Sequence, residues 1–157
     1  MLVRNKSQFS NEFVQKIINW LLTPKLASKL SFIYIKTEND VVLDGTFFPQ
    51  ENKIHVSIGS GFPCFRCSKK FTKLGYKRFL IKTPEEAFVT VLAHELRHLA
   101  QKFSSHNWHL NSEQMVLGAW SNYSSFKEER DADNWAFKKL KEYRNSEILQ
   151  SKQKINK

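Results

Sequence analysis

Thr83-Pro84-Glu85-Glu86-Ala87-Phe88-Val89-Thr90-Val91-Leu92-Ala93-His94-Glu95-Leu96-Arg97-His98-Leu99 is the stretch from which the rest of the chain can be read. It opens as a helix. Thr83 is a good N-cap, Pro84 suits the first helical position, and Glu86 stands three residues after the cap, where a capping box places its acid. Ala87, Phe88, Val91, Leu92, Leu96 and Leu99 then recur at helical spacing. A core helix running to about Phe103 is therefore expected. His94 and His98 lie on one face of it, a turn apart, so both imidazoles can reach a single point. Three titratable groups in the middle of an apolar helix would be costly to bury without a partner.

That partner is expected to be a metal ion. A His-Glu-x-x-His segment on a helix is a metal-ligand pattern. Zinc suits two imidazole nitrogens at about 2.0–2.1 Å, a third protein ligand and an open position. Glu95 follows the first histidine directly. It points off the ligand line yet stays near enough to take a proton from a water that the ion acidifies.

A third ligand is needed, and Glu129-Arg130-Asp131-Ala132-Asp133-Asn134-Trp135-Ala136 offers one. Ser125 caps a final long helix there, with Glu128 three residues on as a second capping box. Glu129, Asp133, Ala136, Leu140 and Tyr143 share one face of that helix, and it is the apolar face. A carboxylate on it would be buried and would need a cation or a proton. Asp133, one turn beyond Glu129, can accept the second N–H of a ligating histidine. His106 and His109 compete as third ligands, or serve substrate or an oxyanion; Tyr123 is another candidate for that last role. A histidine six residues beyond His98 would mark another class of zinc site, but that position is Ser104.

Upstream of the decisive helix the chain reads as strands. Phe32–Ile35 is one, Val41–Phe48 a second with a bend at Asp44-Gly45, and Ile54–Ile58 a third with strict apolar–polar alternation. Pro49-Gln50-Glu51-Asn52 separates the last two at hairpin distance. Before them, Ser10 caps a first helix with Phe13, Val14, Ile17, Ile18 and Leu21 at helical spacing, and Met1–Leu22 is read as an N-terminal helix packed on the domain. Pro24 ends that helix or begins a short second one. A loop of about two dozen residues precedes Thr83. The expected fold is α+β: an N-terminal helix, a short antiparallel sheet of about three strands, the active-site helix and a C-terminal helix. Residues 1–145 form one domain in this reading, and Ser146–Lys157, polar and Lys-rich, a mobile basic tail.

The chain's 157 residues suit one domain with a real core, and its 41% hydrophobic and 13% aromatic content excludes a disordered chain. No stretch approaches the roughly 18–20 apolar residues of a membrane span. Phe13 to Leu22 is broken by Gln15, Lys16 and Asn19, unlike a signal peptide, so a cytoplasmic location with reduced cysteines is expected. Cys64 and Cys67 form one C-x-x-C with no second pair. They read as thiols beside a turn, with a disulfide or a partial metal site as alternatives. The net charge of +10 favours acidic partners. Arg66, Lys69, Lys70, Lys73, Lys77, Arg78 and Lys82 fall in one stretch without Asp or Glu. It reads as a solvated basic loop or as a contact to nucleic acid.

His94-Glu95-Leu96-Arg97-His98 followed by Glu129-x-x-Ala132-Asp133-x-x-Ala136 resembles the gluzincin class of zinc metallopeptidases, over about Phe47 to Leu140. The resemblance implies a zincin-like domain with one zinc held by His94, His98 and Glu129, Glu95 as general base, and Asp133 orienting a histidine. It implies a protein or peptide substrate that pairs with an edge strand ahead of the active-site helix, for which Ile54–Ile58 is the candidate. The chain is shorter than well-known members, and no secretion signal, pro-segment or transmembrane helix is recognised in it. A weaker resemblance is to SprT-like proteases, which carry the same motif in a basic, DNA-associated domain with a third histidine downstream. His106 or His109 would fill that place. Two further readings come from other classes: a basic nucleic-acid-binding module with a non-catalytic metal site, and a binding protein in which the motif is accidental.

Overall fold

A computed structural model describes residues 1–38, 43–59, 81–104 and 127–146. In chain order the elements are β1 (Leu2–Lys6), α1 (Asn11–Leu21), α2 (Pro24–Ala27), β2 (Phe32–Glu38), β3 (Leu43–Phe48), β4 (Lys53–Gly59), α3 (Pro84–Ser104) and α4 (Lys127–Arg144). The class is α+β, as expected. The sheet differs from the expectation: it has four strands in the order β1-β2-β4-β3 and is mixed rather than antiparallel.

The extra strand comes from residues expected to be helical. Leu2, Arg4 and Lys6 point outward while Val3 and Asn5 are half-buried, a period of two. β1 pairs in parallel with β2, from Leu2↔Phe32 to Lys6↔Lys36. Asn5 then turns the chain. Its Nδ2 donates to the Phe9 carbonyl at 2.9 Å, and its Oδ1 accepts from the Ser7 N–H at 3.0 Å. This side-chain-to-backbone bonding separates the strand from the helix behind it. α1 starts where Ser10 Oγ accepts from the Phe13 N–H at 3.2 Å, and α2 begins at Pro24.

Connectivity explains the strand directions. Two helices lie between β1 and β2, so the chain returns and the pair runs parallel. β3 occupies the far edge, and the chain doubles back through residues 49–52 to lay β4 between β2 and β3. Asn52 closes that hairpin with φ 50, a left-handed value that asparagine tolerates. β3 and β4 pair antiparallel, with Gly45↔Val56 and Phe47↔Ile54. β2 and β4 are parallel, with Ile33↔Ile54 and Ile35↔Val56. The expectation that Ile54–Ile58 lies at the sheet edge is thus corrected: β4 is interior, and β3 is the edge strand on that side.

α3 packs on β3, β4 and α4. Its six expected core residues, Ala87, Phe88, Val91, Leu92, Leu96 and Leu99, are all buried. They meet Ile33, Ile35, Ile54, Val56 and Ile58 from the sheet and Ala136, Phe137, Leu140 and Tyr143 from α4. Truncating a fully buried leucine such as Leu92 to alanine costs about 2–5 kcal/mol. Thr83 caps α3 by accepting from the Glu86 N–H at 3.2 Å. The return arm of the box is displaced by one residue, since Glu86 Oε2 accepts from the Lys82 N–H at 2.7 Å. The same carboxylate binds Arg144 at the end of α4, at 2.9 and 2.7 Å. This pair fixes the start of α3 to the end of α4.

Among the described residues no helix is long and apolar enough to cross a membrane. Cys64, Cys67, the basic stretch except Lys82, His106, His109, Tyr123, Ser125 and residues 147–157 lie outside the described residues.

Candidate metal centre

The site forms where α3 crosses α4. His94 and His98 lie on the face of α3 that meets Glu129 and Asp133, and those acids lie on the buried face of α4. Glu129 and Asp133 are each 3% exposed, which excludes an ordinary solvated helix face for either.

His94 Nε2 and His98 Nε2 face each other at 3.0 Å. Glu129 completes the triangle, its Oε2 at 3.3 Å from His94 Nε2 and its Oε1 at 3.3 Å from His98 Nε2. Two ligands bonded to one tetrahedral zinc ion lie about 3.3 Å apart. The three side chains therefore form a group that could hold a metal ion and that is compatible with zinc. Among the described residues, Glu129 Oε2 is buried and has no hydrogen-bond partner. It lies within ion-pair distance of the His94 ring. A buried carboxylate oxygen left so is under-satisfied in the free protein and is satisfied by a cation.

The far side of each imidazole is held. His94 Nδ1 lies 3.0 Å from Asp133 Oδ1. A carboxylate there keeps the proton on Nδ1 and turns the Nε2 lone pair inward. His98 Nδ1 lies 2.8 Å from Gln101 Oε1. The amide orientation follows from its other end, where Gln101 Nε2 donates to the Glu128 carbonyl at 2.9 Å and to Asp131 Oδ2 at 2.8 Å. With both acceptors on the nitrogen side, Oε1 must face His98, which again places the proton on Nδ1. Arg97 closes the chain with two bonds to Asp131, at 2.7 and 3.2 Å.

The charges respond to this crowding. Burial disfavours a charged His94 ring, but the neighbouring Asp133 and Glu129 carboxylates and the nearby Glu95 charge outweigh burial and push it up to about 10. Burial also opposes the Glu129 charge, and the two histidines overcome it, holding this carboxyl well below its ordinary range. In the free protein a proton on His94 thus partly stands in for a cation. Glu95 behaves differently. Burial raises its carboxyl, the histidines pull it down, Glu129 and Asp44 push it up, and the net direction is upward.

Five of the residues singled out from the sequence lie here: His94, His98 and Glu129 in the cluster, Asp133 behind His94, and Glu95 buried close enough to feel both histidines and Glu129; His106, His109 and Tyr123 lie outside the described residues. Gln101, Asp131 and Arg97 were missed. Gln101 carried a usable signal: it stands three residues after His98, hence on the same face. No family model, curated protein or solved structure matches the chain.

Proposed function

We propose that the chain is a zinc-dependent peptidase of the gluzincin kind, with His94, His98 and Glu129 as the metal ligands and Glu95 as the general base. The observation that carries this reading is the convergence of two inward imidazole nitrogens on a buried carboxylate, one oxygen of which lacks a hydrogen-bond donor among the described residues. One carboxylate with two nitrogen donors suits zinc better than magnesium or calcium, which favour oxygen. The presence of Glu129 in the cluster favours the glutamate-ligand reading over one with a third histidine.

Zinc bound there would supply Lewis acidity, acidifying a water and polarising the scissile carbonyl. The protein's part follows from its own groups. Asp133 and Gln101 hold one ring proton of each imidazole outward on Nδ1, so both Nε2 atoms are aimed at the site and can bind once His94 gives up its second proton. Glu95 is a buried carboxylate with a raised pKa, suited to take a proton and pass it to the leaving amine. β3 is the edge strand beside α3. An extended peptide added as a further strand at that edge would lie within reach of Glu95. A protein or peptide is therefore the proposed substrate.

The test is Glu95→Gln. The variant is expected to keep its zinc and to lose casein hydrolysis by about 100-fold or more. Hydrolysis at the wild-type rate would sink the mechanism. The charge of +10 supports a compatible second reading, in which the protease works on DNA-bound proteins through the Arg66–Lys82 stretch. Steep loss of DNA affinity with salt would support it, and no binding at low salt would remove it.

A further inference from the structure

Gly45 is the one residue of β3 whose lack of a side chain bears on Glu95. Asp44 and Thr46 are exposed, while Phe47, two residues on, is buried with the core. Gly45 and Phe47 thus share the face of β3 that lies on α3. A Cβ placed on Gly45 would stand 2.6 Å from Glu95 Oε1, 3.0 Å from Glu95 Cγ and 2.5 Å from Val91 Cγ1. All three lie well inside the roughly 3.5–4.0 Å of normal carbon contact. The glycine is not there for a special backbone angle, because its φ lies outside the left-handed range. It is there for space, and the space is filled by Val91 Cγ1 and the Glu95 side chain, carboxylate included.

We propose that Gly45 is a positioning residue for the general base. By carrying no side chain it lets the edge strand lie directly against Glu95, and so sets both the place of that carboxylate and its distance from the strand. The proposal rests on the peptidase reading of the same site. The alternative, plain packing against Val91, is separable. Val91→Ala removes the Cγ1 contact, and the other two of the three nearest atoms to an added Cβ both belong to Glu95. Because β3 is an edge strand, two responses to Gly45→Ala are distinguishable. If Glu95 moves, proton transfer suffers; if β3 lifts, binding of a strand-like substrate suffers.

The experiment compares Val91→Ala with Gly45→Ala/Val91→Ala in the full chain loaded with zinc, using a fluorescent casein peptide. Gly45→Ala/Val91→Ala is expected to hold the same zinc as Val91→Ala. Its kcat is expected to fall about 30–100-fold, with KM within about twofold. Adding Glu95→Asp, one methylene shorter, is expected to raise kcat in the Gly45→Ala/Val91→Ala background and to lower it in Val91→Ala alone. Unchanged kcat, or a rise in KM alone, overturns the proposal. A second measurement needs no hydrolysis. In the metal-free chain carrying Val91→Ala, Gly45→Ala is expected to lower the urea midpoint, and Glu95→Ala to remove at least about half of that drop. An equal drop with and without the Glu95 side chain overturns the contact. A wild type that neither binds zinc nor cleaves casein, with the urea coupling intact, overturns the peptidase reading instead.

Discussion

Gln101 Oε1 lies 2.8 Å from His98 Nδ1, and that bond decides which nitrogen of His98 can bind a metal. The amide is held in turn by Asp131 and by the carbonyl of Glu128. Gln101→Ala removes the bond that fixes the proton on Nδ1 of His98. Zinc affinity should fall about 10–100-fold, as for loss of other outer partners of ligating histidines. Competition with a chromophoric chelator measures it, and wild-type affinity in the variant would show that the bond does not orient the ring.

Metal binding should displace a proton. His94 is pushed up to about 10 in the free protein, burial being outweighed by Asp133, Glu129 and Glu95. An ion on Nε2 requires the neutral ring, so zinc uptake near pH 7 should release about one proton, and affinity should rise with pH. Calorimetric titration in two buffers of different ionisation enthalpy counts the proton. Heats independent of buffer would contradict a protonated His94.

The Glu86–Arg144 pair should give a signature in acid. Burial opposes the Glu86 charge, but Arg144 and the Lys82 N–H overcome it and lower this carboxyl below its ordinary value. A depressed carboxyl stabilises the fold above its unfolded pKa, and the contribution is lost as pH falls through the folded value. The stability gap between wild type and Glu86→Gln should therefore be full at pH 7 and shrink below about pH 4.5. At neutral pH, Glu86→Gln or Arg144→Ala should cost about 1–3 kcal/mol in urea denaturation. A gap that does not change between pH 7 and pH 3 would contradict the pair.

The helices and the residues of the candidate metal centre were legible in the sequence because helical spacing alone puts His94 with His98 and Glu129 with Asp133. The buried face of α4, from Glu129 to Tyr143, is the one that steps of three and four select. β1 was not legible. Five residues of weak alternation ran into a strong helix, and what ends the strand is a local bond from Asn5, invisible to periodicity. Strand order was hidden for another reason. The hairpin at residues 49–52 reads clearly, but nothing local says that β4 slips between β3 and β2, which turned the expected edge strand into an interior one. Gly45 read only as a bend, because close approach to Glu95 is a tertiary fact.

Metal content measured by elemental mass spectrometry, for the purified wild type beside His98→Ala and Glu129→Ala, tests the central claim most directly. The expected result is about one zinc per chain in the wild type, lost in both variants. No metal in the wild type after zinc addition, or zinc retained at full occupancy in Glu129→Ala, would contradict it.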